Sequence, residues 1–301
     1  MKKITGYLRL MRPANIVTSV ADVLAGATIA GFFGRQPPSQ TPACLAIGIP
    51  VSALALSTIG LYGGGVVFND VFDAELDAIE RPERPIPSGL IKRPEAALLG
   101  TALLILGILS AFAITPLTGG LAALIALAAL LYDKWGKHHT ILGPLNMGLC
   151  RGLNLLLGIS VLPAALAQHG AIALVPVLYI ASITMISRGE VHGSGRNLLY
   201  FAAGLYAIVI GCIGAVATEK DTVLLTLPFL LFFAWMIFRP LAKAIQEPIG
   251  KNIGRAVKAG VIALILMNAS WAAAFDSLYL ALIIVLLLPL SLWLARLFAV
   301  T

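Results

Sequence analysis

The amino-acid sequence predicts an all-α protein, a multi-pass bundle of transmembrane helices, and three observations support this. Hydrophobic residues make up 59% of the 301 residues and charged residues only 12%, whereas soluble domains carry roughly 25% charged residues. The mean hydropathy is +0.94. Apolar stretches long enough to cross a bilayer follow one another along the chain, so residues 1–301 are expected to form a single integral membrane domain.

Ten stretches have the apolar composition of a membrane span and approach the length of about 20 residues that a span needs. They are residues 14–33, 46–68, 96–115, 117–132, 143–165, 171–187, 197–217, 222–238, 256–275 and 278–298. The basic residues before the first stretch are not followed by an obvious small-residue cleavage site. This pattern predicts a retained first span rather than a signal peptide.

The positions of the lysines and arginines predict how these spans are oriented. Of the 21 such residues, all except Arg35, Lys220 and Arg151 fall in segments on the side of the N-terminus. The positive-inside rule therefore places the N-terminus and the long polar loops in the cytoplasm, with the protein in the cytoplasmic membrane. The same distribution explains the net charge of +7 without a nucleic-acid partner. Any chemistry is expected to face the cytoplasm.

The most informative segment follows the second span and reads NDVFDAELDAIERPERPIPSG from Asn69 onward. On a helix that continues this span, Asn69, Asp73 and Asp77 share one face, with Asp70 beside them, while Glu75 points elsewhere. Carboxylates that repel one another at a membrane boundary favour a bound cation. Mg²⁺ is commonly held by one or two carboxylates together with phosphate oxygens. The segment therefore predicts a site for a magnesium-bound diphosphate, and the alternative is a solvated acidic helix end.

This string resembles the first aspartate-rich motif of the UbiA prenyltransferase superfamily, Asn-Asp-x-x-Asp-x-x-x-Asp with a trailing Arg-Pro-x-Pro-Ser-Gly. The resemblance implies nine spans around a central cavity, closed by a cytoplasmic cap and surrounded by membrane lipid. It implies Mg²⁺-dependent transfer of a prenyl group from a polyprenyl diphosphate donor to an acceptor that the sequence does not identify. Residue by residue, it implies that Asn69, Asp70, Asp73 and Asp77 hold magnesium and diphosphate, with the three aspartates as catalytic residues.

The second aspartate-rich motif of that family has no aspartate counterpart here. The segment after the sixth span reads SRGEVHGSGRN, and its only carboxylate is Glu190. In one interpretation Glu190, with His192, holds a second Mg²⁺ as a catalytic residue while Arg188 and Arg196 bind phosphate oxygens. In the other interpretation the second metal site is lost, and standard catalysis with it. The SRGEVH string resembles a divergent branch of the superfamily called EboC.

Two further sites are candidates for substrate contacts. The family shows Tyr-x-x-x-Lys after the fourth span, and the resemblance assigns these roles to Tyr132 and Lys137, with Lys134 as the alternative lysine. Arg151 lies inside a span, where ionisable residues usually face a partner or a pathway. It is expected either to contact an acceptor or phosphate, or to pair with Asp22 of the first span and lock two helices together.

The glycines between Gly60 and Gly65 lie within the second span and are not a phosphate-binding loop. Small residues at such positions allow helices to approach closely, so these glycines predict a tight helix contact.

Two other functions stay open at this point. The altered second motif is compatible with a membrane protein that binds prenyl lipids, or cleaves the diphosphate, without transferring the chain. A transporter of a small amphipathic molecule is the second alternative. The absence of recognisable sequence repeats and the dense carboxylate motif disfavour transport.

Overall fold

The computed structural model describes residues 2–35, 43–190 and 193–298, and within these ranges all the regular secondary structure is helical. The α-helices are α1 (Lys2–Met11), α2 (Pro13–Ile29), α3 (Ala43–Phe72), α4 (Ala74–Glu80), α5 (Arg93–Phe112), α6 (Pro116–Lys134), α7 (Leu142–Ile159), α8 (Pro163–His169), α9 (Leu174–Ser187), α10 (Arg196–Glu219), α11 (Val223–Gln246), α12 (Gly250–Ala274) and α13 (Leu278–Leu297). The predicted all-α class is confirmed.

Each of the ten predicted spans coincides with a helix, namely α2, α3, α5, α6, α7 and α9 to α13. Within the described ranges, eight helical stretches are long and apolar enough to cross a membrane, judged by length and composition. Of the others, α2 is apolar but has 17 residues, and α7 carries the charged Arg151. The predicted end of the fifth span at residue 165 is wrong. α7 ends at Ile159, and Pro163 starts α8, since proline is favoured at a helix start and disfavoured inside one.

Two helices, α2 and α7, lie between two apolar cores. They contribute side chains to one core with α9 to α13 and to another with α3, α5 and α6. α12 runs through the first core and is buried along most of its length. Polar side chains on the facing sides of α2, α7 and α12 are therefore shielded from both lipid and water.

The predicted close helix contact at the glycines is confirmed. A Cβ atom at Gly60 of α3 would lie 2.5 Å from the carbonyl oxygen of Leu103 in α5, and one at Gly64 would lie 2.9 Å from that of Gly100. These distances are shorter than any relaxed carbon–oxygen contact. α3 and α5 therefore pack with their backbones nearly touching, which holds the C-terminal end of α3 in place.

Replacing Gly60 by alanine is expected to force α3 and α5 apart, because the added methyl group meets backbone that cannot rotate away. Overpacking of this kind destabilises by about 1–3 kcal/mol, which corresponds to a fall of roughly 2–10 °C in the melting temperature. Gly48→Ala in the same helix is the matched control, since its Cβ meets nothing within 4 Å. Thermal unfolding in detergent measures the melting temperatures of both variants. An equal decrease in the two would contradict the tight contact at Gly60.

Candidate active site

The aspartate segment is helical as predicted, with one interruption. α3 ends at Phe72 and α4 begins at Ala74, so Asp73 occupies the junction. The N–H of Asp73 still donates to the carbonyl of Asn69 at 3.0 Å, and the N–H of Asp77 donates to the carbonyl of Asp73 at 2.8 Å. These bonds keep the four-residue helical register across the junction, and so the predicted common face is preserved.

The burial of the carboxylates follows this register. Asp70 and Asp77 are buried, with 4% and 5% of their surface exposed. The Glu75 side chain is 90% exposed and pairs with Arg93 at 3.3 Å on the surface. The prediction that Glu75 points away from the cluster is confirmed.

Two of the buried aspartates converge on one arginine. Nη1 of Arg84 lies 3.4 Å from Oδ1 of Asp70 and 2.7 Å from Oδ2 of Asp77. Arg12, between α1 and α2, adds a second cation, with Nη2 at 2.9 Å from Oδ1 of Asp70. Hydrogen bonds between charged groups are the strong ones, and here they neutralise carboxylates that would otherwise repel each other.

Arg84 reaches the aspartates because the segment that follows α4 folds back on them. The N–H of Ile91 donates to the carbonyl of Pro85 at 3.0 Å, which closes this loop. Gly89 supplies the turn with a φ of +73°, a conformation that glycine adopts at little cost. The side chain of Ile91 is fully buried in a small apolar cluster with Leu10 and anchors the loop.

The backbone of Arg12 adopts an unusual conformation. Its φ is +49°, a sparsely populated value for a residue with a side chain. Pro13 follows and opens α2. The sequence motifs predicted no role for Arg12 or Arg84, although Arg84 lies within the string that follows Asn69.

The third aspartate faces a different element. Asp73 forms an ion pair with Lys137, from the loop between α6 and α7. The structure thus brings Lys137, the preferred lysine, to the aspartate segment, while Lys134 stacks over Trp135 at 4.5 Å. The half-buried Tyr132 lies one turn earlier, within electrostatic range of Asp73.

The site contains a fourth carboxylate that was not predicted from the sequence. Asp133 is 4% exposed, and its Oδ1 accepts a hydrogen bond from Nδ2 of Asn69 at 3.0 Å. Its position after Tyr132, at the end of an apolar span, was the available signal, because a carboxylate at such a depth requires a polar partner. Asn69 therefore joins α3 to the end of α6.

Two arginines of the segment after α9 contact different parts of the protein. Nη2 of Arg188 donates to the carbonyl of His139 at 2.7 Å, in the same loop as Lys137. Nη2 of Arg196 donates to the carbonyl of Gln246 at 3.2 Å, at the end of α11. The prediction for His192 falls outside the described residues. Glu190 is half-buried, and burial raises its pKa above the ordinary value, while Arg81 acts in the opposite direction.

The raised pKa of Glu190 predicts a pH-dependent stability effect. Because its pKa in the folded state exceeds that in the unfolded state, ionised Glu190 destabilises the fold at neutral pH, and this penalty vanishes at low pH where both states are protonated. Glu190→Gln is therefore expected to raise the melting temperature near pH 7.5 and to leave it unchanged near pH 4. Thermal unfolding across this pH range checks it, with the exposed Glu75→Gln as control. A melting temperature below that of the wild type for Glu190→Gln at pH 7.5 would contradict the prediction.

Arg151 pairs with Asp22, one of the two arrangements expected from the sequence. Its Nη1 lies 2.7 Å from Oδ2 of Asp22, and both residues are buried between α2 and α7. Asp22 also accepts hydrogen bonds from Asn154 at 2.9 Å and from Asn268 of α12 at 2.7 Å. A contact between Arg151 and a substrate stays a prediction.

The aspartate pair has the donor chemistry of a magnesium site. No group of three or more histidine, cysteine, aspartate or glutamate side chains converges as a metal cluster within the described ranges. Asp70 and Asp77 nevertheless direct their oxygens at a single positive charge, the Arg84 guanidinium. Two carboxylates that already hold one cation match the sparse protein ligand set that Mg²⁺ uses beside phosphate oxygens.

Comparison with known proteins identifies relatives of this chain. A digeranylgeranylglyceryl phosphate synthase of Ignicoccus hospitalis is 33% identical over 193 residues, which cover 64% of this chain and 59% of the relative. A digeranylgeranylglyceryl phosphate synthase of Methanosarcina barkeri is 35% identical over 157 residues, 52% of this chain and 54% of the relative. The chain thus matches less than two thirds of the length of these curated relatives.

Solved structures share the fold. A UbiA homologue from Aeropyrum pernix K1 superposes with a TM-score of 0.66 at 17% identity, over 85% of this chain and 96% of that one. A UbiA homologue from Archaeoglobus fulgidus bound to GPP and Mg²⁺ gives a TM-score of 0.59 at 19% identity, over 86% of this chain and 99% of the other. At these identities the likeness demonstrates a common fold.

The sequence profile of the UbiA prenyltransferase family matches residues 24–190, which is more than half of the 301 residues. The matched region contains the whole aspartate segment, the Lys137 loop and Glu190. Together with the curated relatives and the shared fold, this match establishes the identity of the chain at the level of the family. It belongs to the UbiA prenyltransferase family.

Proposed function

We propose that this chain catalyses Mg²⁺-dependent transfer of a prenyl group from a polyprenyl diphosphate to an acceptor within the membrane. The observation that carries the proposal is the convergence of Asp70 and Asp77 on one cation at the end of α3, with Asp73 paired to Lys137 beside them. Acidic residues neutralised by basic side chains suit a site that exchanges these cations for a metal and an anionic substrate.

In this proposal Asn69, Asp70, Asp73 and Asp77 hold the metal and, through it, the diphosphate. A bound Mg²⁺ supplies charge neutralisation of the leaving diphosphate. The basic side chains that pair with the aspartates in this structure then turn to the phosphate oxygens. Lys137 is the first of these, because it already lies at Asp73.

Arg188 assists from the segment after α9, where it contacts the Lys137 loop through the carbonyl of His139, and Tyr132 lines the site from α6. Arg196 is proposed as a more distant diphosphate contact, since its observed partner is the carbonyl of Gln246. Positive groups around a departing diphosphate stabilise the charge that develops on it as the allylic C–O bond breaks. The bond electrons leave with the diphosphate, and an electron-rich atom of the acceptor captures the allylic cation and loses its proton to solvent.

The apolar helix bundle surrounds the isoprenoid tail in this mechanism. Excluding water matters because water would capture the allylic cation and release a prenyl alcohol instead of the transfer product. Glu190 is proposed to be the residue that would hold a second Mg²⁺. Arg81, from the loop after α4, lies close enough to Glu190 to act on its charge.

The relatives suggest the first acceptor to test. They are named digeranylgeranylglyceryl phosphate synthases, so we propose a prenylated glyceryl phosphate as the candidate acceptor. The assay incubates purified protein with geranylgeranyl diphosphate, geranylgeranylglyceryl phosphate and Mg²⁺, and measures diphosphate release and the prenylated product separately.

Equal amounts of diphosphate and product are expected, and both should disappear with EDTA. Diphosphate release without product would support the alternative of a diphosphate-cleaving protein that does not transfer the chain. Absence of both product and diphosphate, together with no donor binding in the presence of Mg²⁺, would overturn the proposal.

We also propose that the aspartate end of the bundle faces the cytoplasm, and that the bundle lies in the cytoplasmic membrane. The support is the concentration of lysine and arginine in the loops at that end. With ten spans, a reporter fused after Thr301 is expected to be active on the cytoplasmic side. A periplasmic signal would contradict the ten-span arrangement.

A further inference from the structure

A basic cleft lies at the adjoining ends of α11 and α12. It is lined by Arg239, Pro240, Lys243, Asn252 and Arg255 and encloses about 240 Å³. Three of its five lining residues are cations, and none is an acid.

The spacing of the charges around this cleft is unfavourable without an anion. Arg239 and Lys243 are four residues apart on α11, and Lys251, Arg255 and Lys258 follow one face of α12 at intervals of four and three. Like charges at these spacings repel each other. Among the described residues, none of these five forms an ion pair.

One carboxylate near the cluster offsets only part of its positive charge. Between residues 239 and 258 the sequence contains a single carboxylate, Glu247. Its Oε2 accepts a hydrogen bond from Nδ2 of Asn252 at 3.2 Å, within the turn between the two helices. The cleft therefore retains a concentrated positive charge.

The cleft continues into an exposed apolar surface. Trp235 is 55% exposed, and the Arg239 guanidinium stacks on its ring at 5.5 Å. Leu231 and Phe232, about one turn further into the span, are 60% and 41% exposed. Tryptophan beside basic residues is typical of the membrane–water interface. A ligand held here would place an anionic group in the cleft and an apolar chain along α11.

We propose that this cleft binds the phosphate headgroup of an anionic membrane phospholipid. Basic pockets between transmembrane helices bind such headgroups, with about 1 kcal/mol from each lysine or arginine near the surface. The continuity of the cations with the apolar face of α11 favours a lipid over a free phosphate.

The bound lipid would act on the segment that carries Glu190. The N–H of Ser194 donates to the carbonyl of Pro248 at 3.4 Å, and Arg196 donates to the carbonyl of Gln246 at 3.2 Å. Both acceptors belong to the end of α11 and the turn that follows it, next to the cleft. A headgroup that draws the basic ends of α11 and α12 together therefore steadies the surface against which residues 193–196 pack.

The test titrates delipidated protein in neutral detergent with phosphatidylglycerol and follows its melting temperature. Phosphatidylglycerol is expected to stabilise the protein, and phosphatidylcholine is not. In Lys243→Gln/Arg255→Gln the affinity for phosphatidylglycerol is expected to fall about thirtyfold, because two cations are lost. The matched control Lys92→Gln/Arg93→Gln removes two exposed cations at the same end of the bundle and should retain the wild-type affinity.

The cleft variant is expected to melt, without lipid, at or above the wild-type temperature, since the substitutions remove repulsion between exposed side chains. Equal stabilisation by phosphatidylcholine, or an equal loss in the control, would overturn the proposal. So would displacement of phosphatidylglycerol by inorganic phosphate at equal concentration, which would identify the cleft as a site for soluble anions. None of these outcomes depends on prenyl transfer.

Discussion

Asp73→Asn is expected to abolish Mg²⁺-dependent binding of a prenyl diphosphate, with affinity falling about a hundredfold or more. Asparagine preserves the shape of the side chain but removes the charge that pairs with Lys137. Loss of residues that only support metal ligands weakens metal sites by 10- to 100-fold, so loss of a proposed ligand should exceed that range. Equilibrium binding of geranylgeranyl diphosphate to purified protein, with Mg²⁺ or with EDTA, measures the effect.

Glu75→Gln is the control for this experiment. It removes the same charge two residues further along, from a side chain that is 90% exposed and directed away from the cluster. Its binding should equal that of the wild type. An equal loss in both variants would mean that the total acidity of the segment matters rather than the site geometry. Full binding by the Asp73→Asn variant would remove Asp73 from the proposed metal ligands.

Asp22→Ala is expected to produce the largest loss of stability. The change leaves the Arg151 guanidinium buried between α2 and α7 without its carboxylate. Removing one partner of a buried ion pair costs about 3–5 kcal/mol, which corresponds to a fall of roughly 10 °C or more in the melting temperature. Asp22 also accepts hydrogen bonds from Asn154 and Asn268, so two helices, α7 and α12, lose a common acceptor on α2.

A double-mutant cycle with Arg151→Met isolates the ion pair. The double variant should be less destabilised than the sum of the single variants, since it leaves no uncompensated charge. Cys150→Ala, next to Arg151 in α7, controls for a small change in the same helix and should change the melting temperature little. Strictly additive effects in the cycle would show that the pair does not hold the helices together.

Much of the fold follows from local sequence properties. Ten apolar stretches predicted ten helices, because a span must satisfy its backbone hydrogen bonds internally and must be long enough to cross the bilayer. The boundaries were less accurate, as at Pro163, where apolar composition continues although α7 has ended. Hydropathy records the environment of a segment, while helix ends depend on backbone geometry.

The arrangement of the aspartate segment could also be predicted from the sequence. Its four-residue spacing correctly predicted a shared face and an outward Glu75, because a helix repeats every 3.6 residues. The spacing did not predict the break in the helix at Asp73. Hydrogen bonds from the N–H groups of Asp73 and Asp77 preserve the helical register across the break, so the break leaves the spacing of the side chains unchanged.

The sequence by itself determined the class of the protein, its membrane-embedded helices, its family resemblance and the carboxylates of the first motif. Only the tertiary structure decided which cation faces which carboxylate. Arg12, Arg84 and Lys137 come from three separate segments, and Asp133 meets Asn69 from a different helix. These pairs depend on how helices distant in sequence pack against one another, and helical periodicity describes only neighbours within one helix.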